Sequence, residues 1–256
     1  MSQVSTAFQK NKKALIGYIT AGYPDMEATP RIAAALAESG CDLIELGIPF
    51  SDPLADGATI QKASHIALEK GTTPDACLEM AKQISKTTDV PLVFMTYYNP
   101  VLHYGLDAFC RSCKDAGIGG LIVPDLPPEE GAGLEAATAA HGLDLIYLLA
   151  PTSTGDRVTA VAGRSRGFIY LVSLTGVTGA RADLPAGLEE FVARVRKQAK
   201  QPLCVGFGVA TPEHARRVAA IADGVIVGSR LIQLVEEDES LGALKAFVAS
   251  LRAALD

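Results

Sequence analysis

Tryptophan is absent from the 256 residues, and no run of basic charge appears anywhere along the chain. Lys and Arg number 23 against 29 Asp and Glu, a formal net charge of −6, which argues against general binding to nucleic acid or to an anionic membrane. Long apolar runs are missing as well: no stretch approaches the roughly 18 residues that a membrane span needs. Residues 1–13 are polar, without the basic-then-apolar layout of a signal peptide, so a cytoplasmic location is expected. The few apolar residues in that segment fall at helical spacing and suggest a short N-terminal helix.

Disulfide chemistry is also poorly supported. The five cysteines, Cys41, Cys77, Cys110, Cys113 and Cys204, are odd in number and scattered through apolar segments, which suits a reducing compartment. Cys110 and Cys113 form a lone C-x-x-C inside a helical pattern and read as core residues one turn apart. The four histidines, His65, His103, His141 and His214, lie in helices, loops or helix ends. No His/Asp/Glu group has metal-ligand spacing, and no triad is evident, so no metal is expected.

What the chain does have is alternation. Near-continuous apolar runs at 14–21, 41–48, 91–98, 120–124, 144–150, 167–174, 203–207 and 224–227 suit parallel strands covered on both faces. Amphipathic runs lie between and after them, at 29–38, 59–69, 74–86, 106–115, 128–140, 155–164, 188–200, 211–222 and 241–255. Thr73-Pro74-Asp75 and Thr211-Pro212-Glu213 read as helix starts. A Gly at the end of a helix precedes several strands, at Gly40, Gly117 and Gly142, where a left-handed cap would turn the chain back to the sheet. Eight such units predict an α/β fold, a (β/α)8 TIM barrel. Extra helices are expected at the N-terminus, after strand 2 and near strand 8. With no linker or shift of composition, residues 1–256 are read as one domain.

In such a barrel the chemistry sits where strands end and βα loops begin. Glu45 is a carboxylate within an apolar strand, where burial would raise its pKa toward the range useful for proton transfer. The alternative is a Glu paired with a buried base, yet Lys13 precedes the first strand and Arg230 follows the last. On spacing alone Asp56 reads as a turn residue, because Asp-Gly is a common turn pair. Glycines cluster at the ends of strands six, seven and eight, at Gly176, Gly179, Gly206, Gly208 and Gly228, the last followed by Ser229. That placement suits a phosphate cradle, and equally suits tight turns; an acidic protein can bind phosphate through helix-start N–H groups.

Residues 45–57, ELGIPFSDPLADG, resemble the signature of the tryptophan synthase alpha subunit. The resemblance continues through PLVFMTYYNP at 91–100, VPDLP at 123–127, GVTGAR at 176–181, GFG at 206–208 and GS at 228–229. It implies cleavage of indole-3-glycerol phosphate to indole and glyceraldehyde 3-phosphate, a step of tryptophan biosynthesis. Glu45 would protonate indole C3 and exchange protons with the glycerol hydroxyl. Asp56 would hold the indole N–H and stabilise the positive charge on the ring. Tyr170 matches the family's tyrosine near Glu45. Gly179, Phe207, Gly208, Gly228 and Ser229 match the phosphate site, and Thr178 a sixth loop that closes toward Asp56. Tyr18, Ile60, Met95 and Ile122 fall where the family lines its indole pocket. Leu174 stands where some members carry Arg, which leaves the polar contacts of the sixth loop open.

The resemblance further implies a beta subunit that takes up the indole, in an alpha2-beta2 tetramer, with Asp52, Pro53, Asn99 and Pro100 facing it. Pyridoxal phosphate would belong to that partner, so no cofactor is expected in this chain. Another phosphate-binding barrel is conceivable on fold alone, such as an isomerase or indole-glycerol-phosphate synthase, but the synthase would place a lysine in its mouth. A standalone lyase of the same family would share these residues. A silent subunit that only activates its partner would have been signalled by loss of Glu45 or Asp56, and both are present.

Overall fold

A computed structural model describes residues 2–8, 12–172, 187–206 and 208–256. Their strands are β1 (Ala14–Thr20), β2 (Leu43–Gly47), β3 (Leu92–Met95), β4 (Ile118–Ile122), β5 (Asp144–Ile146), β6 (Leu148–Leu149), β7 (Ile169–Val172), β8 (Leu203–Gly206) and β9 (Gly224–Val227). All pair in parallel in one sheet, in the order β5-β4-β3-β2-β1-β9-β8-β7-β6. The two ends of that order, β5 and β6, flank the single residue Tyr147. They are therefore two halves of one strand, and the sheet closes into an eight-position barrel. The break has a local cause: the Tyr147 N–H donates to the Ser165 hydroxyl at 3.1 Å, while its carbonyl accepts from the Tyr170 N–H at 3.1 Å.

The expected strands all form, several of them shorter where their ends are described, and one is shifted. The fourth runs two residues earlier than the apolar run at 120–124 suggests. Gly117, at φ +84°, ends the preceding helix and lets pairing begin at Ile118, and Pro124 has no N–H to extend it. The helices are α1 (Ala28–Glu38), α2 (Ala58–Glu69), α3 (Pro74–Ile84), α4 (Tyr98–Tyr104), α5 (Leu106–Asp115), α6 (Ala132–His141), α7 (Gly155–Arg164), α8 (Leu188–Arg196), α9 (Pro212–Ala219), α10 (Ser229–Glu237) and α11 (Gly242–Leu255). Thr73 and Thr211 cap α3 and α9 as their sequences suggest, accepting from the N–H of Ala76 and His214, both at 3.2 Å. Among the described residues no helix is long and apolar enough to cross a membrane.

Three expectations are corrected. The N-terminal helix is one 3-10 turn, Val4–Ala7. The helix expected over 128–140 splits into a 3-10 turn, Pro128–Glu130, and α6. Residues 98–104, read as the end of a strand and its loop, form α4. Aromatic and apolar residues favour a strand there, but the Asp125 carboxylate, from the loop after β4, accepts the Tyr98 N–H at 2.9 Å and anchors the helix start. A tertiary cap overrides local propensity.

The barrel interior is a packed plug. Ile16, Leu43, Val93, Ile122, Ile146, Phe168, Cys204 and Ile226 come one from each barrel position, and Val4 and Ala7 close the end where the strands begin. Met95, Leu148 and Tyr170 lie partly buried against this cluster. A larger cluster fills the space between strands and helices, and Cys110 and Cys113 sit in it fully buried. At the closed end Asp42 accepts from the Leu15 N–H at 2.9 Å, Arg252 of α11 at 2.8 Å and Lys12 at 2.5 Å, tying the last helix to the barrel floor. Phe168 is buried completely, with ring centroids 5.7 Å from Phe8 and 6.4 Å from Tyr170. Phe168→Ala is expected to cost about 3–5 kcal/mol, read as a lower urea midpoint.

Candidate active site

Side chains alternate along a strand, so the inward Leu43 of β2 puts Glu45 and Gly47 on the same inner face. Glu45 is fully buried between Tyr18 of β1 and Val93 of β3. Among the described residues neither carboxyl oxygen has a hydrogen-bond partner, and no base offsets the charge. A carboxylate left like this is far more stable neutral. Its pKa is pushed up to about 8, mainly by burial and further by the nearby Asp56.

Asp56 lies half-buried in the loop between β2 and α2. Its N–H donates to the Pro53 carbonyl at 3.0 Å, and its carbonyl accepts from Gln61 Nε2 at 2.8 Å. The turn is that of residues 53–56, which Asp56 closes, and not the Asp-Gly pair expected: Gly57 is extended, at φ −84° and ψ 167°, and caps α2. Burial raises its pKa to about 6, against the opposing effect of a hydrogen bond from the Tyr97 hydroxyl. Turn residue and functional candidate are one.

Tyr18 and Tyr170 complete the cluster. Burial raises both phenols well above their ordinary pKa, and the charges of Glu45 and Asp56 add to this in each case. Two strand-end glycines make room for them. A Cβ on Gly47 would lie 2.2 Å from the Tyr18 hydroxyl, and one on Gly206 would lie 2.7 Å from the Tyr170 hydroxyl. Gly206 belongs to the glycine cluster that suits a phosphate cradle or tight turns, and it also makes space for a tyrosine.

Of the expected indole-pocket residues, Ile60 sits half-buried in the first turn of α2, Met95 half-buried at the end of β3, and Ile122 fully buried at the end of β4. Gly208 follows β8 exposed, at φ +61°. Gly228 and Ser229 open α10, where the Gly228 carbonyl accepts from Leu231 at 2.8 Å and Ile232 at 3.1 Å. The amides of Ser229 and Arg230 precede those bonds and have no intrahelical acceptor. They open onto the face where β9 ends, beside the Tyr18 ring, 3.3 Å from where a Gly228 Cβ would stand. Thr178, Gly179, Phe207 and Leu174 lie outside the described residues.

Sequence reading missed Tyr97. Its hydroxyl accepts the Ala55 N–H at 2.9 Å, and its ring stacks on Phe50 with centroids 5.2 Å apart. In the sequence it stood inside an aromatic strand-like run, with no sign that a loop would fold over it. Among the described residues no group of three or more His, Cys, Asp or Glu is arranged to hold a metal ion.

A closed parallel barrel with two perturbed carboxyl groups at its C-terminal mouth defines the class: a (β/α)8-barrel enzyme with acid–base machinery. Residues 4–254 match the family model for the tryptophan synthase alpha chain. The chain is 57% identical over 256 residues to the tryptophan synthase alpha chain of Dehalococcoides mccartyi, covering 100% of both. It is 47% identical to that of Geobacter sulfurreducens, over 100% of this chain and 99% of the relative. Among solved structures, Mycobacterium tuberculosis tryptophan synthase superposes with a TM-score of 0.92 at 44% identity, over 99% of this chain and 96% of that one. The Legionella pneumophila alpha subunit gives 0.92 at 41%, over 100% and 99%. The chain belongs to the tryptophan synthase alpha chain family.

A carboxyl with a raised folded-state pKa keeps its proton after the unfolded chain has lost it, so stability falls as pH rises between the two values. For Glu45 that window runs from the ordinary 4.5 to about 8. Glu45→Gln is therefore expected to flatten the loss of stability between pH 5 and 8, on the order of a few kcal/mol, in urea midpoints taken at both ends.

Proposed function

We propose that Glu45 and Asp56 divide the acid–base and electrostatic work of this family's reaction between them. The chain is a carbon–carbon lyase of tryptophan biosynthesis, cleaving indole-3-glycerol phosphate to indole and glyceraldehyde 3-phosphate. The observation that carries the division is the separation of the two carboxyl groups, near 8 and near 6. Between those values Glu45 holds a proton and Asp56 carries a charge. Two like groups in one site take opposite roles when their environments push their pKa values apart.

Glu45 delivers its proton to indole C3. The ring becomes cationic, and the Asp56 carboxylate holds the indole N–H where that charge collects. The Glu45 carboxylate then removes the proton from the hydroxyl on the carbon attached to C3. The C–C bond breaks, its electron pair restores the neutral ring, and the hydroxyl carbon leaves as the aldehyde. Glu45 ends protonated, as it began.

Tyr18, Ile60, Met95 and Ile122 line the indole, with Tyr170 beside Glu45. The phosphate rests on the amides of Ser229 and its neighbours at Gly228 and Gly208, a placement the dipole of α10 favours. Thr178, Gly179 and Phe207 belong to the same reading. No cofactor is assigned to this chain, and pyridoxal phosphate belongs to the partner. Residues 1–256 act as one domain in the cytoplasm, a setting that suits five buried free thiols.

Membership of the family implies a beta chain as partner. We assign its docking surface to Asp52, Pro53, Asn99 and Pro100, in an alpha2-beta2 assembly. Leu54, 94% exposed, and Leu102, 54% exposed, lie among these residues and are the exposed large apolar side chains of the described chain. Apolar groups standing free beside a polar rim suit a protein contact.

The test is release of indole from indole-3-glycerol phosphate, with and without a beta subunit. The native chain is expected to show a bell-shaped kcat/KM profile with limbs near pH 6 and 8. Glu45→Gln is expected to lower kcat by about 10²–10⁴-fold, and Asp56→Asn by about 10²–10³-fold. A native chain silent even with its partner would sink the lyase reading. Near-native turnover by Glu45→Gln would remove its acid–base role alone.

A further inference from the structure

We propose that Tyr97 is a positioning residue: its hydroxyl clamps the loop after β2 onto the end of β3 and so fixes where the Asp56 carboxylate stands. The inference rests on the reading of Asp56 as the group that holds the indole ring.

Tyr97 stands two residues past the end of β3 and is the last extended residue before α4, at φ −90° and ψ 158°. It is only 4% exposed, so its position is set by packing. Its ring stacks on Phe50, near the start of the loop, and its hydroxyl meets Ala55 and Asp56 near the end. One side chain thus touches both ends of a loop of which Ser51, Asp52, Leu54 and Ala55 are exposed. Valence dictates the direction of the contacts. A phenol has one proton and two lone pairs; the Ala55 N–H takes a lone pair at 2.9 Å, which leaves the phenol proton for the adjacent Asp56 carboxylate, whose pKa it lowers against burial. The neighbouring residue is pinned too, since the Tyr98 N–H donates to Asp125 at 2.9 Å. The clamp therefore stands on α4 and on the loop after β4, two rigid supports outside the loop it holds.

The charges around Asp56 come from several elements. Glu45 of β2, Tyr18 of β1, Tyr170 of β7 and Tyr97 itself face it, and Asp125 acts on Tyr97. None of these is a cation. The Tyr97 proton is the contact that favours the ionised form of Asp56 against burial. Loss of the hydroxyl has two consequences: a carboxylate free to wander, and an Asp56 that holds its proton to higher pH.

Tyr97→Phe keeps the ring and its stack on Phe50 while removing the clamp. Steady-state indole release is measured on the complex with a beta subunit, for the native chain, Tyr97→Phe, Asp56→Asn and the double variant. Tyr97→Phe is expected to lower kcat about ten- to a hundredfold with a smaller change in KM. The acid limb of its kcat/KM profile is expected to move up by roughly one pH unit. In the Asp56→Asn background the same change is expected to cost less than about threefold, because the group it positions is already gone. Phe50→Leu, which disturbs the stack and leaves the hydroxyl, is expected to keep the acid limb at its native pH. An unmoved limb for Tyr97→Phe, or equal losses with and without Asp56, overturns the inference. A native rate for Asp56→Asn would instead overturn the role of Asp56 and is read separately.

Discussion

Everything at the mouth of this barrel depends on a carboxyl group buried without a partner. Glu45 stands on the inner face of β2, fully enclosed, with neither oxygen hydrogen-bonded by a described residue. Such a group is costly to fold around and more costly still when charged. The closed sheet sustains it because the remainder of the interior is apolar and well filled. One side chain from each barrel position packs beneath it, and a turn of the N-terminal segment seals the far end. Stability is gathered in the lower barrel; reactivity stands on top of it.

Asp56 is handled differently. It is carried by a loop, half-buried, and wired to its surroundings through Tyr97 and through the backbone of its own turn. The two carboxyl groups experience each other, and each raises the phenols between and beside them. What separates the carboxyl groups is the balance of solvent exclusion against hydrogen bonding. Glu45 has only the first, while Asp56 has some of both. That asymmetry leaves one proton in the pair near neutral pH, on Glu45.

The rim shows how small residues serve large ones. Gly47 and Gly206 end two strands on the inner face, and either Cβ would collide with a tyrosine hydroxyl. Their strand-end positions suggested turns and phosphate contacts, which are local roles. The phenols they accommodate come from the preceding strand across an intervening helix, beyond the reach of any local pattern. Tyr97 was hidden in the same way. Its neighbours Thr96 and Tyr98 gave the run the look of a strand, and only a carboxylate from the loop after β4 turns the next residues into α4.

The architecture was legible in the chain's local patterns. Apolar runs at strand length, amphipathic runs at helix length and glycines at their junctions are short-range signals, and eight repeats of them admit few foldings besides a barrel. The sequence also marked Glu45 as anomalous, since a charge within an apolar strand is visible without coordinates. How the two acids behave is set by the folded arrangement alone. Their protonation depends on the exclusion of water and on groups that β1, β2, β3 and β7 bring to one place. Burial and Coulomb interactions act through space, and distance along the chain carries no record of them.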